Sequence, residues 1–234
     1  MTDTGLLFVW GEVGPDASAD EFNDWYDNEH GPLRLTVPGF KNAIRYKATD
    51  GQTPSWVALY DLDHPSVPSS EPYKALAGKA SDREKALIPR LAVLNRAVYE
   101  KIFEQTKPGL SANAFPANYV LIVQVAVPSL SEDAFNKWYN EEHIPDIASH
   151  VPGWNRARRY KLVGQPVELT GKQDPSIKEG YNYLAIHDFD RADYATSPAL
   201  VAAIHTPAAG KILQSVNGVD MRHFTIHKHI QKHE

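Results

Sequence analysis

Eight of the ten histidines fall in the second half of this 234-residue chain: His143, His150, His187, His205, His223, His227, His229 and His233, against only His30 and His64 in the first. Imidazole titrates near neutral pH, so histidine is the side chain best suited to move protons as a general acid or base. His143 stands four residues after Tyr139, a spacing that on a helix lays the hydroxyl beside the ring. His187 sits in a short apolar run next to Asp188, a residue able to orient an imidazole. His223 and His227 share one face of an alternating run near the C-terminus that also carries Thr225 and His229. The candidate catalytic residues are therefore His143, His187, His223, His227, Tyr139 and Asp188. A shared metal is not expected: strand positions four apart lie about 13 Å from one another, and no acidic third ligand stands near the C-terminal histidines.

Composition removes several other chemistries. The chain has no cysteine, which excludes disulfides, thiolate metal sites, iron–sulfur clusters and cysteine nucleophiles. No glycine-rich phosphate loop is present, so nucleotide cofactors are not expected, and the set of expected cofactors is empty. A formal charge of -5 gives no electrostatic reason to bind nucleic acid or an anionic membrane. Apolar runs such as 119–127, interrupted by Gln124, fall short of the roughly 18 residues that span a bilayer. The start Met1-Thr2-Asp3-Thr4-Gly5 lacks the basic flank and apolar stretch of a secretory signal. The expectation is a cytoplasmic globular protein whose partner is a small molecule.

The elements that must position these residues are revealed by an internal repeat. Residues 22–32, Phe-Asn-Asp-Trp-Tyr-Asp-Asn-Glu-His-Gly-Pro, recur at 135–145 as Phe-Asn-Lys-Trp-Tyr-Asn-Glu-Glu-His-Ile-Pro, with seven of eleven positions identical. Unrelated segments would share roughly one position in fifteen. Further on, Val37-Pro38-Gly39 answers Val151-Pro152-Gly153, and Arg45-Tyr46-Lys47 answers Arg159-Tyr160-Lys161. Each copy has the same order. An apolar strand (6–13 or 119–127) leads to a helix capped by Ser18 or Ser131, which the Glu-His-x-Pro and Pro-Gly segments close. Strands follow at 40–48 and 56–62, or at 154–162 and 183–189. Alanine-rich helical stretches (72–88, 192–213) and last strands (92–103, 219–230) complete the copies. Strand–helix–strand–strand–helix–strand, twice, is an α+β chain of two ferredoxin-like βαββαβ repeats. One such repeat leaves a bare sheet face, and packing the two antiparallel sheets face to face would make an intramolecular two-subunit barrel. We read residues 1–107 as the first repeat, 108–117 as a linker and 118–234 as the second. The Pro- and Gly-containing segment 164–180 has no equivalent in the first copy and reads as a mobile surface loop.

Trp-Tyr-x-x-Glu-His-x-Pro followed by Val-Pro-Gly and an aromatic strand resembles the EthD-like members of the dimeric α/β-barrel superfamily, here in tandem. The resemblance covers nearly the whole chain in its order of elements and is sharp at 22–47 and 135–161. It implies a small-molecule site served by lyase, cyclase, oxidative or haem chemistry, since fold alone does not select one.

Strand alternation then sorts candidate ligand contacts. Val57 and Leu59, with Leu184 and Ile186, suit packing under helices. The opposite set, Trp56, Ala58 and Tyr60 with Tyr183, Ala185 and His187, mixes rings, gaps and polar tips, as a pocket inside the barrel needs. Candidate substrate contacts are Trp56, Tyr60, Tyr46, Tyr160, Tyr183, Thr225 and His30. Arg45 and Arg159 read as solvated cations on strand edges. The favoured function is a cofactor-independent lyase or cyclase that decarboxylates, dehydrates or ring-closes a small aromatic or polyketide-like substrate by histidine acid–base chemistry. Haem-dependent or cofactor-free oxidation and a non-catalytic binding protein are the alternatives. Exposed outer strands would permit a homodimer of the tandem chain.

Overall fold

The computed structural model describes residues 3–172 and 180–232. The first repeat consists of β1 (Gly5–Glu12), α1 (Ala19–Trp25), α2 (Gly31–Leu35), β2 (Asn42–Ala48), β3 (Trp56–Leu62), α3 (Glu71–Lys74), α4 (Asp82–Leu87) and β4 (Val93–Thr106). The second consists of β5 (Tyr119–Ala126), α5 (Glu132–Trp138), α6 (Ile144–His150), β6 (Trp154–Glu168), β7 (Tyr183–Phe189), α7 (Pro198–Ile204), α8 (Pro207–Gln214) and β8 (Gly218–Gln231). The α+β order expected from the repeat is present twice. Within each repeat the pairings are antiparallel: β1 with β3 and β4, β2 with β3, then β5 with β7 and β8, β6 with β7. The hydrogen-bonded order closes into a barrel, β1-β3-β2-β8-β5-β7-β6-β4. No helix among the described residues is long and apolar enough to cross a membrane.

Two compact units divide the chain. One takes Met1–Lys101 with Leu162–Ile177 and Ile226–Glu234, the other Ile102–Lys161 with Lys178–Thr225. Instead of turning at Gly164 as expected, β6 runs on to Glu168 and ends in the first unit. There Leu169 packs against the apolar core and its N–H donates to the Leu94 carbonyl at 2.9 Å. Pairing of the backbone and the β-favouring residues Val163 and Val167 keep this stretch extended. The rest of the expected loop, 173–179, and His233 lie outside the described residues.

The motif shared by the repeats makes a local structure that spacing alone did not reveal. Glu-His-x-Pro does not close the helix. Between α1 and α2, Tyr26–His30 forms a π turn in which Gly31 N–H reaches back five residues to the Tyr26 carbonyl; Tyr139–His143 and Ile144 do the same between α5 and α6. Pro32 and Pro145 supply the cause, because a proline there has no N–H and its ring would crowd the carbonyl four residues back. The helices end instead at Leu35 and His150, and the chain then turns at Gly39 (φ 95°) and Gly153 (φ 74°). A Cβ would meet Val67 at 2.7 Å in the first case and Asp190 at 2.5 Å in the second, so both positions demand glycine. Ser18 caps α1 through its side chain, which accepts from Glu21 N–H. Ser131 does not cap α5, since its hydroxyl donates to the Ser215 carbonyl instead.

Each unit buries a core between its sheet and its helices. In the first, Leu7, Val9, Ala58, Tyr60 and Leu62 meet Phe22, Trp25, Tyr26 and Leu87; in the second, Leu121, Val123, Val125 and Ala185 meet Phe135, Trp138, Ile147 and Leu200. The sheet faces are therefore the reverse of the sequence expectation. Trp56, Ala58 and Tyr60, like Tyr183, Ala185 and His187, point to the helices, while Val57, Leu59, Leu184 and Ile186 are buried on the other side. The helix layer is where aromatic side chains of α1 and α5 await large partners, so ring-bearing strand positions pack there.

Candidate active site in the second unit

A cavity of about 310 Å³ lies between the sheet and the helices of the second unit. Leu121, Val123 and Val125 of β5 form its floor; Leu200 and Ile204 of α7 and Ile212 and Leu213 of α8 form its walls. Its polar groups are Tyr139, His143 and His187, and no charged side chain lines it. The site thus sits under the helices rather than inside the barrel.

Two elements bring these three residues together. The π turn carries Tyr139 and His143 on adjoining turns, with ring centroids 4.9 Å apart, and His143 stacks on Trp138 at 4.5 Å. From β7, His187 places Nε2 3.2 Å from Tyr139 Oη. The tyrosine hydroxyl therefore joins the strand histidine rather than the helix histidine expected from their i, i+4 spacing. His187 is fully buried, and His143 and Tyr139 nearly so. The Nδ1 atoms of both His143 and His187 are buried without a hydrogen-bond partner, an arrangement that costs roughly 1–3 kcal/mol per group.

Burial sets the protonation states. It lowers His187 to about 3, helped by the neighbouring His143 and Arg159, and lowers His143 to about 4 against the opposing pull of Asp146 and the Ala203 carbonyl. Both imidazoles are neutral at pH 7. Burial also raises Tyr139 above the ordinary phenol range, with Arg159 working in the opposite sense. Arg159 is not the solvated cation expected on a strand edge but is 1% exposed. Its guanidinium lies 4.4 Å from the Tyr139 ring centroid, and burial lowers it to about 10. Arg45 is buried in an equivalent cage in the first unit, 4.4 Å from the Tyr26 ring centroid, because the planar cation stacks on aromatic faces.

In the first unit the equivalent layer is filled. Tyr60 replaces His187 and donates to Tyr26 Oη at 3.0 Å, and Phe40 packs on Tyr60 and stacks on Tyr73. His30 is not free to act: Glu84 Oε2 takes its Nδ1 at 3.0 Å and Trp25 Nε1 at 3.2 Å, with Arg34 3.8 Å from Oε1. Burial opposes ionisation of Glu84, but His30, Arg34 and Trp25 together hold it below the usual carboxylate range.

The remaining sequence candidates lie elsewhere. Asp188 is fully buried in an ion cluster with Arg156 (2.8 Å) and Arg158 (3.3 Å), so it neutralises arginines instead of orienting a catalytic histidine. His223 bonds Tyr194 Oη at 3.1 Å. His227 bonds Asp27 at 3.1 Å in the first unit, where Trp56 meets its ring edge-on at 4.9 Å. Thr225 hydroxyl reaches the Asn118 carbonyl, Tyr183 packs on Phe135, and Tyr46 and Tyr160 are buried away from the cavity. No group of three His, Asp or Glu side chains among the described residues is arranged to hold a metal. Sequence reasoning missed the walls from α7 and α8 and the role of Arg159; its one available signal was that Arg45 and Arg159 recur with the aromatic motif.

No protein-family model matches the sequence, and no curated protein matches it either. Solved structures do match in shape. An anthrone oxidase-like protein superposes with a TM-score of 0.67 at 11% identity, covering 100% of this chain and 95% of that one. A monooxygenase-like protein from Fusobacterium nucleatum gives 0.56 at 10% identity, covering 99% and 96%. A chlorite dismutase-like protein gives 0.54 at 13% identity, covering 97% and 96%. What these likenesses show is a shared fold, an α+β chain of two ferredoxin-like repeats with the closed strand order given above.

Proposed function

We propose that the chain is a cofactor-independent enzyme of the EthD-like type. It takes a proton from a small, uncharged aromatic or polyketide-like carbon acid held in the cavity of the second unit. The observation that carries this reading is the pair of buried, neutral histidines, His143 and His187, that line an apolar cavity beside Tyr139 with no charged side chain in its lining. With Nε2–H of His187 donating to Tyr139 Oη, Nδ1 keeps its lone pair and accepts the substrate proton. The Tyr139 O–H, already polarised by that bond, is then free to donate to the substrate oxygen on which negative charge develops. The apolar walls exclude water and strengthen both interactions.

The enolate so formed leads to dehydration or ring closure. Decarboxylation suits the site less, because no cation lines the cavity to hold a carboxylate. A second reading, cofactor-free oxidation, draws support from the full-length likeness to an anthrone oxidase-like protein. Here a deprotonated methylene would react with dioxygen, R₂CH₂ + O₂ giving R₂C=O + H₂O, with the same residues forming the carbanion. Haem fits poorly, since the same absence of cations leaves its propionates unpaired. The test is incubation of the protein with aromatic ketones and phenols under air and under argon, followed by mass analysis. Loss of water without oxygen uptake supports the lyase or cyclase reading, and oxygen-dependent gain of a carbonyl supports the oxidation. Tight binding of these compounds with no conversion would mean a carrier.

A further inference from the structure

The two repeats build the same arginine cage with one difference in charge. In the first, Arg45 lies over Phe22, Tyr26 and Trp56, and its two terminal nitrogens reach Asp27 and Asn23. In the second, Arg159 lies over Phe135, Tyr139 and Tyr183, and its terminal nitrogens reach Asn140 Oδ1 at 2.6 Å and Asn136 Oδ1 at 2.8 Å. The position held by Asp27 in one repeat is Asn140 in the other. Two amide oxygens satisfy the geometry of the guanidinium without cancelling its charge. Among the described residues no carboxylate forms an ion pair with Arg159, whereas Arg45 is neutralised by Asp27.

This exchange falls on the repeat that keeps an open cavity. The uncancelled charge is buried, so it is weakly screened, and the ring it faces belongs to Tyr139, the residue that joins the cavity to His187. The other titratable groups around it are His187 and Tyr183 of β7, His143 of the π turn and Lys161 of β6. Lys161 is paired with Glu132 at 2.8 Å and lies 5.5 Å from the Tyr183 ring centroid. A full positive charge behind a phenol makes its O–H a stronger donor and stabilises negative charge at the hydroxyl's far side.

We propose that Arg159, left without a counter-ion by Asn140 and Asn136, is a positioning residue that favours anionic oxygen in the cavity through Tyr139. The inference rests on the proton-abstraction reading above and names what makes that site selective for substrates that become enolates or phenolates. Asn140→Asp is the natural probe, because the first repeat already accommodates an aspartate in the same cage.

The experiment uses the full chain and 4-nitrophenol, whose phenolate absorbs in the visible. The bound probe is titrated in the wild type, Asn140→Asp, Asn136→Asp and, as the mirror control, Asp27→Asn. Neutralising Arg159 should raise the apparent pKa of the bound phenol by about one unit, a tenfold shift, in Asn140→Asp and Asn136→Asp. Affinity for the neutral phenol at low pH should be unchanged, and Asp27→Asn should behave as wild type. Folded Asn140→Asp or Asn136→Asp with an unmoved probe pKa would overturn the role of Arg159 while leaving the cavity as a binding site. Failure of the wild type to bind the phenol at all would bring down the reading of the cavity and this inference with it.

Discussion

Tyr139 Oη lies 3.2 Å from His187 Nε2 across the helix–sheet layer of the second unit, whereas in the first unit the matching residues, Tyr26 and Tyr60, meet hydroxyl to hydroxyl at 3.0 Å. One exchange of side chain on the third strand of the repeat thus replaces a closed pair of phenols with a phenol–imidazole pair that retains an unpartnered nitrogen. The chemistry proposed for the protein follows from that nitrogen.

If His187 is the base, His187→Gln should lower turnover by about 10²–10⁴-fold, the usual contribution of a positioned acid or base. Glutamine can still bond Tyr139, so the melting temperature should change little. Steady-state kinetics beside a thermal melt separates the two effects, and full activity in this variant would remove His187 from the mechanism.

Stability should fall as the solution is acidified through the histidine range. The buried His187 and His143 sit near 3 and 4, against an ordinary value of 6.5 in the unfolded chain. Between those limits the unfolded state binds more protons, so the free energy of unfolding rises with pH there and levels off above about 7. Denaturant midpoints measured from pH 4.5 to 8 should show this slope, and it should be shallower in His187→Gln.

Glu84 should matter for folding and not for chemistry. Glu84→Ala strands Trp25 N–H, His30 and Arg34 in the first unit, at a cost of about 3 kcal/mol. Urea unfolding measures the loss. Activity per folded molecule should match wild type, because the cavity is lined by residues of the second unit.

Val219 lines the cavity while remaining 38% exposed, which places it at the mouth. Val219→Trp should obstruct entry, raising KM or the probe dissociation constant at least tenfold with a melting temperature within a few degrees of wild type. Unchanged binding would mean that ligands enter elsewhere.

Much of the architecture was legible in the repeat. Strand limits at 56–62 and 183–189 agree with the structure, and the order of elements followed from apolar runs, caps and Pro-Gly turns. The π turns were not legible, because an i, i+4 reading assumes an unbroken α-helix and the effect of Pro32 and Pro145 on the preceding carbonyls appears only when the backbone is built. Nor was the facing of the strands. Period-two alternation separates two sets of side chains but carries no label saying which set meets the helices when both are buried.

For this protein the amino-acid order alone determined the doubled βαββαβ plan, the absence of cysteine chemistry and the concentration of histidine in the second half, since each is a property of pattern or count. Only the tertiary structure decided that Tyr139, His143 and His187 share one cavity, that Asp188, His223 and His227 serve other contacts, and that Arg159 is buried behind the site. Those outcomes depend on side chains from segments distant in sequence meeting across a packed layer, and packing is settled by the shapes of all the partners together.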